Sequence, residues 1–342
     1  MQYSNKYEPT DNPLDQYYSE IASRTQWDKG NPTPIVFTVG TARVGSTASL
    51  NLFRGSTVID SNDNVNAIPV AYQHFKAGLR HAMLNWNENS EWSFQIPKVP
   101  LFYMKDTIGP YTQKESEYNP LKVFEKMGYP KDKLFVNFLY RNPLDVFSSW
   151  VDKWGEIIPR DSLLTNFIIA SNTLKDIHKD IESSGIPYAS MVYESIRDNA
   201  PLAVADSLFM QINKAYEGSE GIRIAATENT TENWERLDRE GWHPDQPRVY
   251  ELPHVDSRVH QEARTKTSWS YRNKTTDELT KFLHPDEVIK IESEGIFDIY
   301  DYFRDDTQRT LGLSVEGSSS LKDIYEVYTM RNMEGAFYTR RS

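Results

Sequence analysis

Two stretches of this chain combine residue types that could hold an anion. The first is Gly40-Thr41-Ala42-Arg43-Val44-Gly45-Ser46-Thr47, between a short apolar run and a helical pattern. Gly40 and Gly45 let a backbone turn tightly and approach a ligand closely. The N–H groups at the start of the following helix favour negative charge there. Ser46 and Thr47 add hydroxyl donors, and Arg43 adds a permanent positive charge. The spacing nearly matches the phosphate-loop pattern G-x-x-x-x-G-K-[ST], with Ser46 where that pattern has Lys. The blander alternative is a Gly/Ser turn that only starts a helix.

The second stretch is Leu139-Tyr140-Arg141-Asn142-Pro143-Leu144-Asp145-Val146-Phe147-Ser148-Ser149-Trp150. It reads as a strand ending in Arg, followed by a Pro-started helix. Arg141 can fork onto a phosphate, and Ser149 can reach the same anion from the helix face. The alternative is an Arg that ends a strand and pairs with Asp145.

These residues need strands and helices to hold them. Ile35 to Val39, Leu134 to Tyr140 and Tyr188 to Tyr193 read as strands, with a further short one at Thr57 to Asp60. Helices are expected from Ser46 to Phe53, Val70 to Trp86, Pro143 to Trp154, Leu163 to Glu182, Pro201 to Tyr216, Thr276 to Leu283 and Pro285 to Tyr302. Lys105 to Pro120 reads as a surface loop or lid, and Gly218 to Arg258 as a polar, irregular insert. The rhythm predicts an α/β fold: a P-loop-like parallel β-sheet of about four or five strands flanked by helices on both faces. Ligands in such folds bind at the carboxyl ends of the strands, where both stretches begin. The expected division is a polar arm over 1–33, an α/β domain over 34–305 with inserts near 101–120 and 218–258, and an accessory tail over 306–342.

The composition narrows the partners. Lys and Arg number 38 against 49 Asp and Glu, a formal charge of −11. That disfavours nucleic acid and anionic membranes, and a phosphate-bearing ligand needs a local basic pocket against it. The chain has no Cys, which excludes disulfides, thiolate catalysis and Cys-based zinc sites. No compact Asp/Glu/His constellation calls for a metal. No apolar run has the length of a membrane span, and the polar start lacks a signal core, so a cytoplasmic location is expected.

The two stretches resemble the nucleotide motifs of sulfotransferases that use PAPS (3′-phosphoadenosine-5′-phosphosulfate). Ala42-Arg43-Val44-Gly45-Ser46-Thr47-Ala48 is similar to the Arg-Ser/Val-Gly-Ser/Thr-Thr form of their phosphosulfate loop. The resemblance gives Arg43 the role of contacting the 5′-phosphosulfate. Arg141, Asn142, Pro143, Asp145, Val146 and Ser149 match Arg-Asn/Asp-Pro-x-Asp-Val-x-x-Ser in register. It implies that Arg141 and Ser149 bind the 3′-phosphate. Met191-Val192-Tyr193-Glu194-Ser195 resembles the strand end whose Tyr approaches adenine, here Tyr193. Ser268-Trp269-Ser270-Tyr271-Arg272 resembles the late Trp-Arg/Lys segment, which brings in Trp269 and Arg272. The fuller Arg-Lys-Gly pattern upstream is absent, and Arg264 and Lys266 are the nearest basic residues.

The resemblance implies transfer of a sulfuryl group from PAPS to a hydroxyl or amine of a small molecule, releasing PAP, the desulfonated nucleotide, with no metal. The acidic chain favours a neutral or cationic acceptor, such as a secondary metabolite tailored by a bacterial enzyme of this kind. Many family members carry Lys-Thr-His, which supplies a lysine and a base. Ile96-Pro97-Lys98-Val99-Pro100-Leu101 is the matching stretch, with Lys98 on the lysine and Pro100 where the base would be. Asp60, His74 and His81 are then the candidate bases. Two rival readings remain: a P-loop kinase-like phosphotransferase, and a non-catalytic PAP- or nucleotide-binding protein on the same scaffold.

Overall fold

A computed structural model describes residues 12–83, 92–227, 229–232, 234, 267–272 and 274–316. Its strands are β1 (Thr25–Gln26), β2 (Ile35–Thr41), β3 (Thr57–Ile59), β4 (Val65–Ala67), β5 (Val70–Tyr72), β6 (Phe94–Gln95), β7 (Phe102–Ile108), β8 (Leu134–Tyr140), β9 (Tyr188–Val192) and β10 (Arg223–Ala225). The helices up to residue 184 are α1 (Leu14–Ser23), α2 (Ser46–Arg54), α3 (His74–Met83), α4 (Gln113–Ser116), α5 (Leu121–Met127), α6 (Pro143–Trp154) and α7 (Arg160–Ser184). Beyond it come α8 (Ser195–Asp198), α9 (Pro201–Glu220), α10 (Thr276–Phe282), α11 (Pro285–Ser293) and α12 (Ile296–Leu311).

The central sheet has five strands in the order β5-β7-β2-β8-β9, every neighbouring pair parallel. β2, β7 and β8 are buried on both faces, as strands covered on two sides must be. In the β2–β7 register Val36 lies beside Tyr103, and Phe37 beside Met104. Tyr103 stacks on Phe53 of α2, and Phe53 meets Phe209 of α9. Phe37 packs on Phe75 of α3 and Phe124 of α5 from the opposite face. Alternation along the strands therefore sends the aromatic residues to two helical layers. Because β2 leads the middle of a parallel sheet, its C-terminal end opens on a crevice walled by its neighbours.

Several expected boundaries move. Residues 101–120 are no insert: Phe102–Ile108 is a central strand, fully buried. Its Lys105-Asp106 pair breaks the apolar pattern and disguises it. The expected helix from Val70 divides, over residues 70–83, into β5 and then α3, with Gln73 between them in a left-handed conformation (φ 56°). The expected final helix breaks at Gly295 (φ 69°) into α11 and α12. α12 runs past residue 305, and Asp306 and Thr307 are buried against the sheet. Thr307 and Thr310 accept hydrogen bonds from the β9 N–H groups of Val192 and Ser190, at 3.0 and 3.1 Å. The 1–33 arm likewise contributes α1, whose Tyr17, Tyr18 and Ile21 are buried. The Thr57–Ile59 strand joins a separate antiparallel sheet, β10-β3-β4.

Candidate functional site

The crevice at the carboxyl end of β2 gathers the loop, α6, the end of β9 and the segment before α10. Gly40 cannot carry a side chain, because a Cβ there would lie 2.4 Å from the Leu139 carbonyl oxygen. Arg43 and Gly45 both take left-handed backbone angles, φ 74° and 96°. Such strain in a non-glycine residue costs about 1–3 kcal/mol and persists only where the surroundings fix it. Two contacts do the fixing. The Trp150 indole donates to the Ala42 carbonyl at 2.7 Å, and Arg43 Nε donates to Ser149 Oγ at 2.9 Å. The two stretches singled out in the sequence thus meet.

The first intrahelical bond of α2 runs from Ser49 N to Gly45 O, so the N–H groups of Ser46, Thr47 and Ala48 lie ahead of the helical ladder. They make an anion seat at a helix N-terminus. Val44 is buried beneath the loop. Tyr193 closes one wall, since a Cβ on Gly45 would come within 2.4 Å of its ring. Burial pushes the Tyr193 hydroxyl up to about 12, and it donates to the Ser270 carbonyl at 3.2 Å.

Lys105 is the residue that the sequence reading missed. It lies on β7, 2% exposed, and its Nζ donates to Ser46 Oγ at 2.9 Å and Thr47 Oγ1 at 3.2 Å. It also sits 4.0 Å from the centre of the Tyr72 ring. A lysine from a neighbouring strand thus reaches the hydroxyl pair beside which the phosphate-loop pattern has its own. Lys98 does not reach it. Lys98 precedes β7, at the opposite edge of the sheet from the loop, and forms an exposed ion pair with Asp28 at 2.7 Å.

Arg141 is fixed by one carboxylate and two aromatic rings. One guanidinium nitrogen meets Asp145 Oδ2 at 2.9 Å, and the group lies 5.4 and 5.5 Å from the Tyr193 and Tyr271 ring centres. Its buried Nε has no hydrogen-bond partner. Burial opposes the charge, but Asp145 and Glu194 outweigh it and raise the pKa further. Glu194 is fully buried and anchors the turn by accepting from Asn142 N at 3.0 Å and from the Tyr271 hydroxyl at 3.2 Å. Lys274, also missed, donates to Ser148 Oγ at 2.6 Å and to the Asp145 carbonyl at 3.2 Å. Burial, with Arg141 and Arg43 nearby, lowers its pKa to about 8. A signal for Lys274 existed in the order Arg272-Asn273-Lys274, just past the recognised Trp.

The other expected residues stand apart. Arg272 is paired with Glu278, its side chain 82% exposed; only its carbonyl touches Arg141, at 3.4 Å. Trp269 is buried and its backbone N–H donates to the Thr231 carbonyl at 2.8 Å, a packing role. Asp60 caps the β3–β4 turn, accepting from the N–H groups of Asn62 and Asn64, each at 2.9 Å. His74 is buried and stacks on Phe94, which packs on Phe102, on the sheet face opposite Lys105. Burial lowers its pKa to about 4, so it is neutral at ordinary pH. His81 lies in the last turn of α3. Arg264 and Lys266 fall outside the described residues.

Gln73 and Thr107 complete the floor of the crevice beside Lys105. Gln73 Nε2 donates to Thr107 Oγ1 at 2.6 Å, and Thr107 N donates back to Gln73 Oε1 at 3.2 Å. Neither a family model nor a curated protein matches this chain.

Proposed function

We propose that this protein is a sulfotransferase that moves a sulfuryl group from PAPS to a hydroxyl or amine of a small molecule and releases PAP. The observation that carries the reading is the clustering of Arg43, Lys105, Arg141 and Lys274 around one helix-capped loop, in a chain of net charge −11. Four basic side chains in one crevice of an acidic protein fit a ligand bearing two separate anionic groups. The α2 N-terminus, Arg43 and Lys105 suit the phosphosulfate end. Arg141, fixed by Asp145, suits the 3′-phosphate, and the Tyr193 ring offers a face for the base.

Sulfuryl transfer follows an in-line displacement, by analogy with phosphoryl transfer. As the S–O bond to the donor breaks, charge gathers on the leaving phosphate oxygen. Lys105 Nζ and the N–H groups of Ser46 to Ala48 stabilise that charge. Thr107 cannot accept the acceptor's proton as His would, but its hydroxyl and the Gln73 amide can orient an acceptor by hydrogen bonds. An amine that reacts in its neutral form places the smallest demand on a base.

The test is release of PAP from PAPS with a panel of small amines and alcohols. Wild type should release PAP in an acceptor-dependent way, and Lys105→Met should cut the rate by about 100-fold or more, the scale of losing one charge-stabilising group. Transfer of a phosphoryl group from ATP with Mg²⁺, and none from PAPS, would favour the kinase reading.

A further inference from the structure

We propose that Lys105 stands as a neutral amine in the ligand-free protein and gains a proton from solvent when a phosphorylated ligand enters the loop, so that ligand binding is proton-coupled. This rests on the nucleotide reading given above and deepens it.

The geometry is that of a cation without a counter-ion. Lys105 is 2% exposed. Its Nζ touches two hydroxyls and an aromatic ring. Among the described residues it forms no ion pair. A buried ammonium without a charge partner is costly, and the group sheds its proton instead. Of the elements packed around Lys105, α2 presents only the Ser46 and Thr47 hydroxyls. The loop brings Arg43 and α3 brings Lys76, both of which oppose the charge. β5 brings Tyr72, and β7 itself brings Tyr103 and Asp106. Asp106 favours the charge, but it projects to the other face of the strand, toward the N–H of Lys76 at 3.1 Å. Burial is the largest influence, and the Lys105 pKa lies well below that of a free lysine. A phosphate or phosphosulfate seated on the α2 N-terminus supplies the missing negative charge beside Nζ. The lone pair of Nζ then binds a proton from the buffer, and the pair becomes an ammonium–anion contact.

The consequence is a pH dependence that a permanent cation would not give. Above the lowered pKa of Lys105, each bound nucleotide draws in a proton, and affinity falls as pH rises. Arg at this position would stay charged throughout.

Calorimetric titration with PAP at pH 8, in buffers of different ionisation enthalpy, counts the protons. At that pH the ligand's phosphates, with second pKa values of about 6, are fully ionised and release none. Wild type should take up between about one-half and one proton per nucleotide. Lys105→Arg should bind with most of that uptake lost, the remainder being the fraction that Lys274 supplies, whereas Lys274→Arg, run in parallel, should retain most of it. Should Lys105→Arg fail to fold, the fall of wild-type affinity between pH 7 and 9, set against Lys105→Met, gives the same information. Tight binding by wild type with no proton uptake would overturn the inference and leave the nucleotide site intact. Uptake unchanged in Lys105→Arg would also overturn it, by assigning the proton elsewhere. Absence of PAP binding would sink the nucleotide reading and the inference with it.

Discussion

Arg43 and Ser149 are joined by a 2.9 Å hydrogen bond across 106 positions of sequence. The bond ties the loop after β2 to the helix after β8 and holds a guanidinium at the mouth of the crevice. Ser149→Ala should therefore weaken PAP binding by about tenfold, near 1.4 kcal/mol, the value of a hydrogen bond to a charged group. Arg141→Ala should weaken it more, because a cation is removed as well. Titration calorimetry of both variants checks the order. Equal affinities for wild type and both variants would break the link between these residues and the ligand.

Gly45 should tolerate no side chain. Its φ of 96° alone costs alanine about 1–2 kcal/mol, and a Cβ would strike the Tyr193 ring. Gly45→Ala should lose nucleotide binding and lower the unfolding midpoint. The collision is specific, so adding Tyr193→Ala should make the double variant less damaged in stability than the sum of the singles. Strict additivity in denaturant melts would show that the ring is not what the methyl group meets.

Two residues expected from sequence should prove silent in turnover. His74 fills the core against Phe94, and its buried Nε2 has no partner. His74→Phe removes that unsatisfied group, worth about 1–3 kcal/mol when buried, and keeps the ring. It should fold at least as stably as wild type, with PAP release unchanged. Lys98→Met should lose only an exposed ion pair, worth at most about 1 kcal/mol. A hundredfold fall in PAP release for either would return that residue to the reaction.

Asp106 gives a stability signature in pH. Burial, the largest influence, raises its pKa to about 7, with Lys76 pulling the other way. Its usual value is 3.8, so between roughly pH 4 and 7 the folded protein keeps a proton that the unfolded chain has released. Stability from this group is complete below that window and falls as pH rises through it. Asp106→Asn has no proton to keep. Its urea midpoint relative to wild type should climb from pH 4 to pH 7.5, and a difference flat across that range would remove Asp106 as the titrating group.

What the sequence disclosed follows from what is local. The loop after Val39 and the Arg141–Ser149 helix start are contiguous, and their glycines, proline and hydroxyls carry their own geometry. Tyr193 was singled out by the resemblance of its strand end to the family's, and it directly follows the apolar strand β9. Lys105 and Lys274 were not. Lys105 sits inside a strand buried on both faces, where a Lys-Asp pair reads as surface loop, and only the parallel register with β2 brings it to Ser46. The Ile-Pro-Lys-Val-Pro stretch looked like the lysine motif but lies at the other end of that strand. Asp60 and His74 were plausible by type, and their roles come from a turn and from a stacked ring that no spacing announces.

On the proposed reading, the crevice takes a bisphosphorylated adenosine nucleotide in preference to a nucleoside triphosphate with metal. Calorimetry of the wild-type protein with PAP, set beside ATP with Mg²⁺, tests this most directly. PAP should bind at about micromolar Kd, near −8 kcal/mol, and ATP with Mg²⁺ at least about tenfold more weakly. Clear binding of ATP with Mg²⁺ and none of PAP would contradict the sulfotransferase reading.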